Sequence, residues 1–446
     1  MTDENATGTC EAQIRHIPVG KVFAVAIGNA LEFYDFLTYS YFAIQIGHCF
    51  FPVAQTAHGL LYSLATFGVG FITRPLGALV IGRFGDRVGR KPAMVLSFML
   101  MGVGITGLAL TPSYSTIGIF APILLLTFRL IQGFALGGQV GPSTAYLVEA
   151  APSHRRGLYV AVQFMTQDLS VLVAGVVGFA LSNSLAASAL DQWGWRLAFL
   201  IGAAVIPFGL YLRRSLPETL LLPDATSRED AASKLSLRPI VLGLLLLIAT
   251  TTGGYGLSYM TTYAQDSLHL VAGVAFGATI LNGVGNLMGD VLSGLASDKI
   301  GRKPVMLVSA LFGLLLVMPA YLAMTRLPSA FTVYAATTVL CLLMQTFGNA
   351  AMVTVTESLP KAVRSTALSL LYAIATTVFG GTTQLVIKLL MVTTGSPLAP
   401  AWYIITALAV GLSSAVIIRE TAPVKVRHAA FGIADRKTPA VVDLLK

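Results

Sequence analysis

An all-α polytopic membrane protein, with twelve transmembrane helices in two six-helix bundles, is the fold this sequence predicts, and three observations predict it. The first is composition: of 446 residues, 55% are hydrophobic and only 11% charged, with a mean hydropathy of +0.77. A soluble domain carries about 25% charge, so too few charges are present to cover a water-facing surface. The second is a row of twelve apolar runs, each near the roughly 20 residues that cross a hydrocarbon core. They cover 19–46, 59–82, 92–110, 117–148, 157–181, 196–213, 239–263, 272–296, 304–324, 331–355, 366–391 and 401–419. The third is duplication. The stretch GRFGDRVGRKP, Gly82–Pro92, returns 212 residues later as GLASDKIGRKP, Gly294–Pro304, and Glu149, Pro152 and Arg156 return 208 residues later as Glu357, Pro360 and Arg364. Two copies of one membrane unit around a shared path are the signature of a transporter built from repeats.

Each element follows from this frame. The basic residues set the orientation, because Lys and Arg collect in cytoplasmic loops. Of the 29 Lys and Arg, 24 fall in alternate loops and the termini, while the opposite loops hold only Arg196 and Arg326. Both termini are therefore expected in the cytoplasm. The net charge of +9 is a matter of topology, and a nucleic-acid partner is not expected. The one long polar connection, 214–238, divides the chain into an N-terminal bundle (1–213), a cytosolic linker and a C-terminal bundle with a short tail (239–446). Cys10, Cys49 and Cys341 have no paired spacing, so neither a disulfide framework nor a cysteine metal motif is predicted. The first 18 residues are polar, so the first span is expected to act as the targeting signal. Motifs of hydrolases, zinc proteases and phosphate-binding loops are absent, and the chain is not expected to be an enzyme.

Charge placed at bilayer depth costs about 2.5–3.5 kcal/mol on insertion scales, so it persists where it is paired, hydrated or used. Seven such residues fall within the runs: Glu32, Asp35, Arg74, Arg129, Asp168, Asp290 and Lys388. Asn29, Glu32 and Asp35 share one helical face by their spacing, which makes them either a path lining with a protonatable carboxylate or an ion pair to Arg129 or Arg74. Arg74 precedes Pro75, which frees a backbone carbonyl and bends the helix. Its planar fork suits carboxylates, with snorkelling to the cytosolic surface as the structural alternative. Asp168 follows Gln163 and Gln167 and is either a proton carrier or a partner for Arg129. Asp290 forms a stripe with Asn282 and Asn286, or touches the nearby repeat loop. Lys388 snorkels at the outer end of its span or draws anions to the mouth. The Tyr255, Tyr259 and Tyr263 stripe lines the path or packs. In the repeat loops, Asp86 and Asp298 are expected to cap helices or pair with arginines across the halves, and Gly89 and Gly301 to permit the tight turn.

These residues resemble the major facilitator superfamily. The loop pattern Gly82-x-x-x-Asp86-x-x-Gly89-Arg90-Lys91 and its repeat through Asp298, Gly301 and Arg302 are that superfamily's most specific motif, and Arg129-Leu-Ile-Gln132-Gly133 is similar to its second. More narrowly, GNALEFYDF (Gly28–Phe36), GFITRPLGALVIGRFGDRVGR (Gly70–Arg90), RLIQGFALGGQVG (Arg129–Gly141), WGWRLAF (Trp193–Phe199) and RRSLPET (Arg213–Thr219) resemble the metabolite–proton symporters. The resemblance runs from about residue 20 to 420. Thr250–Thr252, Asn349–Pro360 and Phe379–Gly381 resemble the citrate and tricarballylate symporters. It implies that Arg74 handles the anion and that Arg129 braces the first span and modulates proton affinity. It departs at Gln139, where many members carry a carboxylate, and at Asp168 and Asp290, where the citrate symporters are uncharged.

The expected activity is proton-coupled import of a small organic acid, citrate-like di- or tricarboxylates first, by alternating access. Uptake of a betaine- or proline-type zwitterion and drug efflux are the rivals on the same fold, and a non-transporting membrane sensor is the rival from another class. Expected substrate-binding residues are Arg74, Asn29, Gln163, Tyr255, Asn286 and Asn349. Asp35, Glu32, Arg129 and Asp168 are expected to couple protons. Gly82, Asp86, Gly89, Arg90, Asp298, Gly301 and Arg302 form the gating motif. No cofactor or metal is expected beyond the proton gradient. The partners are a small organic anion, protons and the lipid bilayer (the inner membrane of a bacterium, by resemblance), and a monomer is the working unit.

Overall fold

The structure, a computed structural model, describes residues 36–51, 56–88, 90–137, 151–203, 237–360 and 364–425, with Ala30, Phe33, Tyr34, Thr144, Val148, Pro207 and Tyr211. No strand occurs among them, and a helix lies on each of the twelve apolar runs. Seven helices among the described residues are long and apolar enough to cross a membrane, from His58–Ile81 in the second run to Ala399–Ile417 in the last. In hydrocarbon a backbone must satisfy its own polar groups, which leaves the helix as the form these runs can take. Their outward faces carry exposed Phe120, Leu315, Phe331 and Trp402, the apolar surface a bilayer covers. The linker expected at 214–238 lies outside the described residues apart from Leu237 and Arg238.

Within the N-terminal half, the second and fourth spans meet backbone to backbone. A Cβ on Gly133 would strike the carbonyl of Gly70, one on Gly137 that of Arg74, and one on Gly77 that of Phe134. Gly133 and Gly137 are four residues apart, the small-residue spacing that lets membrane helices approach closely. The second span is interrupted at one residue: Thr56–Ile72 gives way to a turn at Thr73 and continues as Arg74–Val88. Pro75 is the cause, since it has no N–H for the carbonyl of Phe71. That carbonyl accepts instead from Thr377 Oγ1 of the eleventh span, 3.0 Å away in the other half. Thr377 lies in a wide-turn π segment, Thr376–Gly380, that interrupts its own span.

The halves touch at both ends of the molecule. The fifth span, Arg156–Ser184, lies along the eighth, Ala272–Ile300, with Gly175 on Ile280 and Gly283 on Leu172. At the end bearing the second repeat loop, Asp298 accepts from the backbone N–H groups of Gly157 (2.9 Å) and Leu158 (3.0 Å). A carboxylate thus sits at the positive end of a helix from the opposite half. Gly301 ends the eighth span at φ +105°, a conformation that side chains with a Cβ disfavour. At the far end, Gly68 crosses Gly381 so closely that a Cβ would lie 2.6 Å from the Gly381 carbonyl oxygen. Gln384 Nε2 donates to Ser40 Oγ at 2.5 Å, and Phe42 packs on Phe276, ring centres 4.8 Å apart.

Beyond the first apolar run, His48 Nδ1 lies 3.2 Å from Asp191 Oδ2, tying that helix to the turn before the sixth span. This hydrogen bond raises the His48 pKa against the opposing effect of burial. The raised folded value means the pair stabilises fully below the ordinary histidine value of about 6.5 and loses that contribution as pH rises through the folded value. Both groups are over a third exposed, which limits the effect to about 1 kcal/mol or less. His48→Gln is expected to flatten the pH dependence of thermal unfolding between about pH 5 and 8, measured on purified protein in detergent. Gly133→Ala is expected to lower the unfolding temperature by overpacking worth about 1–3 kcal/mol, in the same assay.

Candidate functional site

Between these two sets of contacts lies a cavity of about 140 Å³. Both halves line it: Phe33 and Leu37 of the first span and Gln167 and Asp168 of the fifth face Thr250, Thr251, Tyr255, Asn282, Asn286, Gln345 and Tyr372. A mostly apolar wall with a few convergent polar groups is the usual form of a small-molecule site. Thr250 and Thr251 each donate their hydroxyl to the Leu247 carbonyl a helical turn away, so these hydroxyls are tolerated in a span without outside partners.

The floor of the cavity is a network across the seam. Asp168 Oδ1 accepts from Asn286 Nδ2 at 2.8 Å, and Asn286 Nδ2 also reaches Asn282 Oδ1 at 3.0 Å. Gln345 Nε2 donates to Asp168 Oδ2 at 2.9 Å and to Asp290 Oδ1 at 2.8 Å. Asn349 Nδ2 donates to Asp290 Oδ1. Asp168 is 7% exposed and Asp290 wholly buried. Asp168 therefore partners amides and not Arg129, and Asp290 meets this network and not the repeat loop. Helical spacing explains both: Asn282, Asn286 and Asp290 repeat every four residues on one face, and Gln345 and Asn349 do the same on the facing tenth span.

Behind the cavity wall stands a stack of charge and rings. Phe36 lies between two guanidiniums, Arg74 at 4.3 Å and Arg129 at 4.4 Å from its centre. Arg74 also covers Phe71 at 4.0 Å, and Phe71 packs on the cavity residue Tyr255 at 5.3 Å. Such cation–π contacts are worth about 2 kcal/mol or more when desolvated. Arg129 Nη1 donates to Gln132 Oε1 at 2.8 Å. Arg74 is 5% exposed, and its Nε and Nη2 have no hydrogen-bond partner among the described residues. The glycine contacts of the second and fourth spans are what bring the two arginines to either side of one ring.

The expected site residues thus fall into groups. Asp168, Tyr255 and Asn286 line the cavity, Asn349 stands behind its floor, and Arg74 and Arg129 stand behind its wall. Gln163 is buried beside it, taking a hydrogen bond from Thr144 Oγ1 at 3.1 Å. Tyr259 and Tyr263 pack in the core, Tyr263 donating to the Pro397 carbonyl. Asn29, Glu32, Asp35 and Gly89 lie outside the described residues, as do the side chains of Asp86 and Arg90 and the surroundings of Gly82. Lys388 does not snorkel: its Nζ pairs with Asp266 Oδ2 at 2.6 Å. Gln345 and Tyr372 escaped the sequence reading; Gln345 was detectable by standing four residues before Asn349.

At the loop end, Arg302 Nη1 pairs with Asp298 Oδ1 at 2.6 Å, and Glu357 lies 3.5 Å from both Arg302 Nε and Arg156 Nη1. Glu357, Arg302 and Arg156 come from both halves, so the repeated residues form one cross-linked cluster. Glu420 accepts from the N–H groups of Arg302 and Lys303, each at 3.0 Å.

The sequence profile described as Major Facilitator Superfamily matches residues 40–381. The chain belongs to the major facilitator superfamily. A citrate-proton symporter of Salmonella typhi is 36% identical over 90% of this chain and 93% of that protein. An alpha-ketoglutarate permease of Escherichia coli K12 is 32% identical over 86% and 89%, and a proline/betaine transporter of the same strain is 31% identical over 90% and 83%. Among solved structures, a D-xylose-proton symporter superposes with a TM-score of 0.73 at 21% identity, covering 91% of this chain and 98% of that one. This superfamily member is accordingly a multi-pass membrane transporter and not an enzyme.

Charge-assisted hydrogen bonds such as those of Asp298 are worth about 1.5–3 kcal/mol. Asp298→Ala is therefore expected to shift the protein toward opening at the loop end. With the native cysteines replaced, a cysteine at the cavity position Gly348 should then react several-fold faster with a membrane-impermeant thiol reagent applied from that end.

Proposed function

We propose that this superfamily member imports a small organic acid with a proton, citrate-like di- or tricarboxylates first, by rocking its two bundles about the cavity. The observation that carries this reading is the pairing of opposite signs at one chamber. A guanidinium whose Nε and Nη2 have no hydrogen-bond partner among the described residues, Arg74, is buried behind the wall, and a carboxyl, Asp168, stands on it. A buried cation in low dielectric biases the space toward anions. An ionised Asp168 opposes that bias, since a like charge is repelled at short range. The anion and a proton therefore bind best together, which is the thermodynamic requirement for symport. Asn286, Gln345, Thr250 and Tyr255 supply neutral donors and acceptors to orient the substrate. The citrate-proton and alpha-ketoglutarate relatives support the substrate class. Residues 1–213 and 239–446 would be the moving units, the loop end cytoplasmic, Glu32 and Asp35 of the first span adding to coupling, and the monomer sufficient.

A second reading is uptake of a zwitterion. Asp168 with the rings of Tyr255 and Tyr372 on the same wall could take a quaternary ammonium by charge and cation–π attraction, and the proline/betaine relative supports it. Proteoliposomes with an imposed pH gradient, offered labelled citrate, alpha-ketoglutarate, proline and glycine betaine, decide between them. Accumulation of the acids, its collapse with an uncoupler and a tenfold or greater loss in Arg74→Ala are expected. Accumulation that survives the uncoupler eliminates symport, and accumulation of betaine alone selects the zwitterion.

A further inference from the structure

Two carboxyls from opposite halves converge on one amide. Gln345 Nε2 donates to Asp168 Oδ2 and Asp290 Oδ1, so these oxygens are no farther apart than the sum of two hydrogen bonds. Asp168 belongs to the fifth span, Asp290 and Gln345 to the eighth and tenth. The remaining valences are uneven. Asp290 Oδ2 is buried with no hydrogen-bond partner among the described residues, while its Oδ1 accepts from both Gln345 and Asn349. A proton on this pair of carboxyls therefore meets acceptors already held in place. The other titratable groups facing the pair are Tyr41 of the first span and Cys341 of the tenth, with Tyr255 and Tyr372 across the cavity. Glu32 and Asp35 lie outside the described residues, and no Lys or Arg hydrogen-bonds to either carboxyl among the described residues.

We propose that Asp168 and Asp290, bridged by Gln345, form a two-carboxyl site that holds one transported proton while the halves are closed and gives it up when the fifth and eighth spans part. This rests on the proton-coupled reading above and narrows it to a pair of side chains. Two carboxylates this close, walled from water, repel each other, and one proton held between them removes the repulsion. On loading, an O–H bond of hydronium in the cavity breaks as one forms on a carboxyl, leaving water; on release the carboxyl O–H breaks and a water molecule on the other side takes the proton. Position gives the direction. Asp168 lies eleven residues from Gly157 and Asp290 eight from Asp298, so the pair stands roughly 12–17 Å along the same two helices from the loop-end contact. Breaking that contact separates the carboxyls and wets them from the loop end.

The test uses purified protein in proteoliposomes with labelled citrate as probe. Asp290→Asn, outside the cavity lining, is expected to lose accumulation driven by a pH gradient at least tenfold while citrate exchange between equal concentrations persists, and Asp168→Asn is expected to lose that accumulation as well. Gradient-driven accumulation like wild type in Asp290→Asn overturns the proposal, as does equal loss of exchange and accumulation in that variant when it is folded by thermal unfolding. If Asp290→Asn does not fold, Gln345→Leu keeps both carboxyls: a shifted pH profile of exchange supports the site and an unshifted one overturns it. If wild type carries none of the solutes, the transport reading fails, and infrared spectra of the ligand-free protein still decide the pair. A carboxylic-acid band that titrates in wild type and is missing from Asp168→Asn and Asp290→Asn supports it; the same band in all three overturns it.

Discussion

The cost of leaving a polar group unpartnered in oil is the constraint on which this structure depends. A chain with 11% charged residues has few such groups to place, and many of them find their partners across the seam between the halves. Asp298 binds the start of the fifth span, Gln345 joins Asp168 to Asp290, Gln384 reaches Ser40 and Thr377 reaches Phe71. Each contact gives a polar group of one half a partner on the other. Closure is then held by polar complementarity, and opening demands that water take the place of each lost partner.

Glycine sets the distances at which this works. Where the second and fourth spans touch, absent side chains let backbones meet, and that contact fixes Arg74 and Arg129 on the two faces of Phe36. The same device at Gly68 and Gly381 closes the far end. Close approach of apolar helices is thereby converted into the placement of charge beside the cavity.

Most of the architecture was legible in the sequence because it is written in periods that need no tertiary information. The twelve apolar runs and the offset between Gly82 and Gly294 announce helices and duplication. The stripe of Asn282, Asn286 and Asp290 shows in the spacing alone. What faces that stripe does not: whether Asp290 meets a loop or a carboxyl depends on the rotation of the tenth span, and so Gln345 went unremarked. Lys388 was misjudged for the same reason, since Asp266 is 122 residues away and on another helix. Pairings between distant elements are set by how helices turn against each other, and one sequence holds no direct record of that.

The bend at Pro75 carries a last consequence. Its orphaned Phe71 oxygen is matched by a hydroxyl belonging to the opposite bundle, so the kink is healed only while the two bundles touch. Once they part, that oxygen must be hydrated in a place walled by rings. Parting the bundles here therefore requires water to reach a place lined by Phe36, Phe71 and Tyr255 before that carbonyl regains a partner.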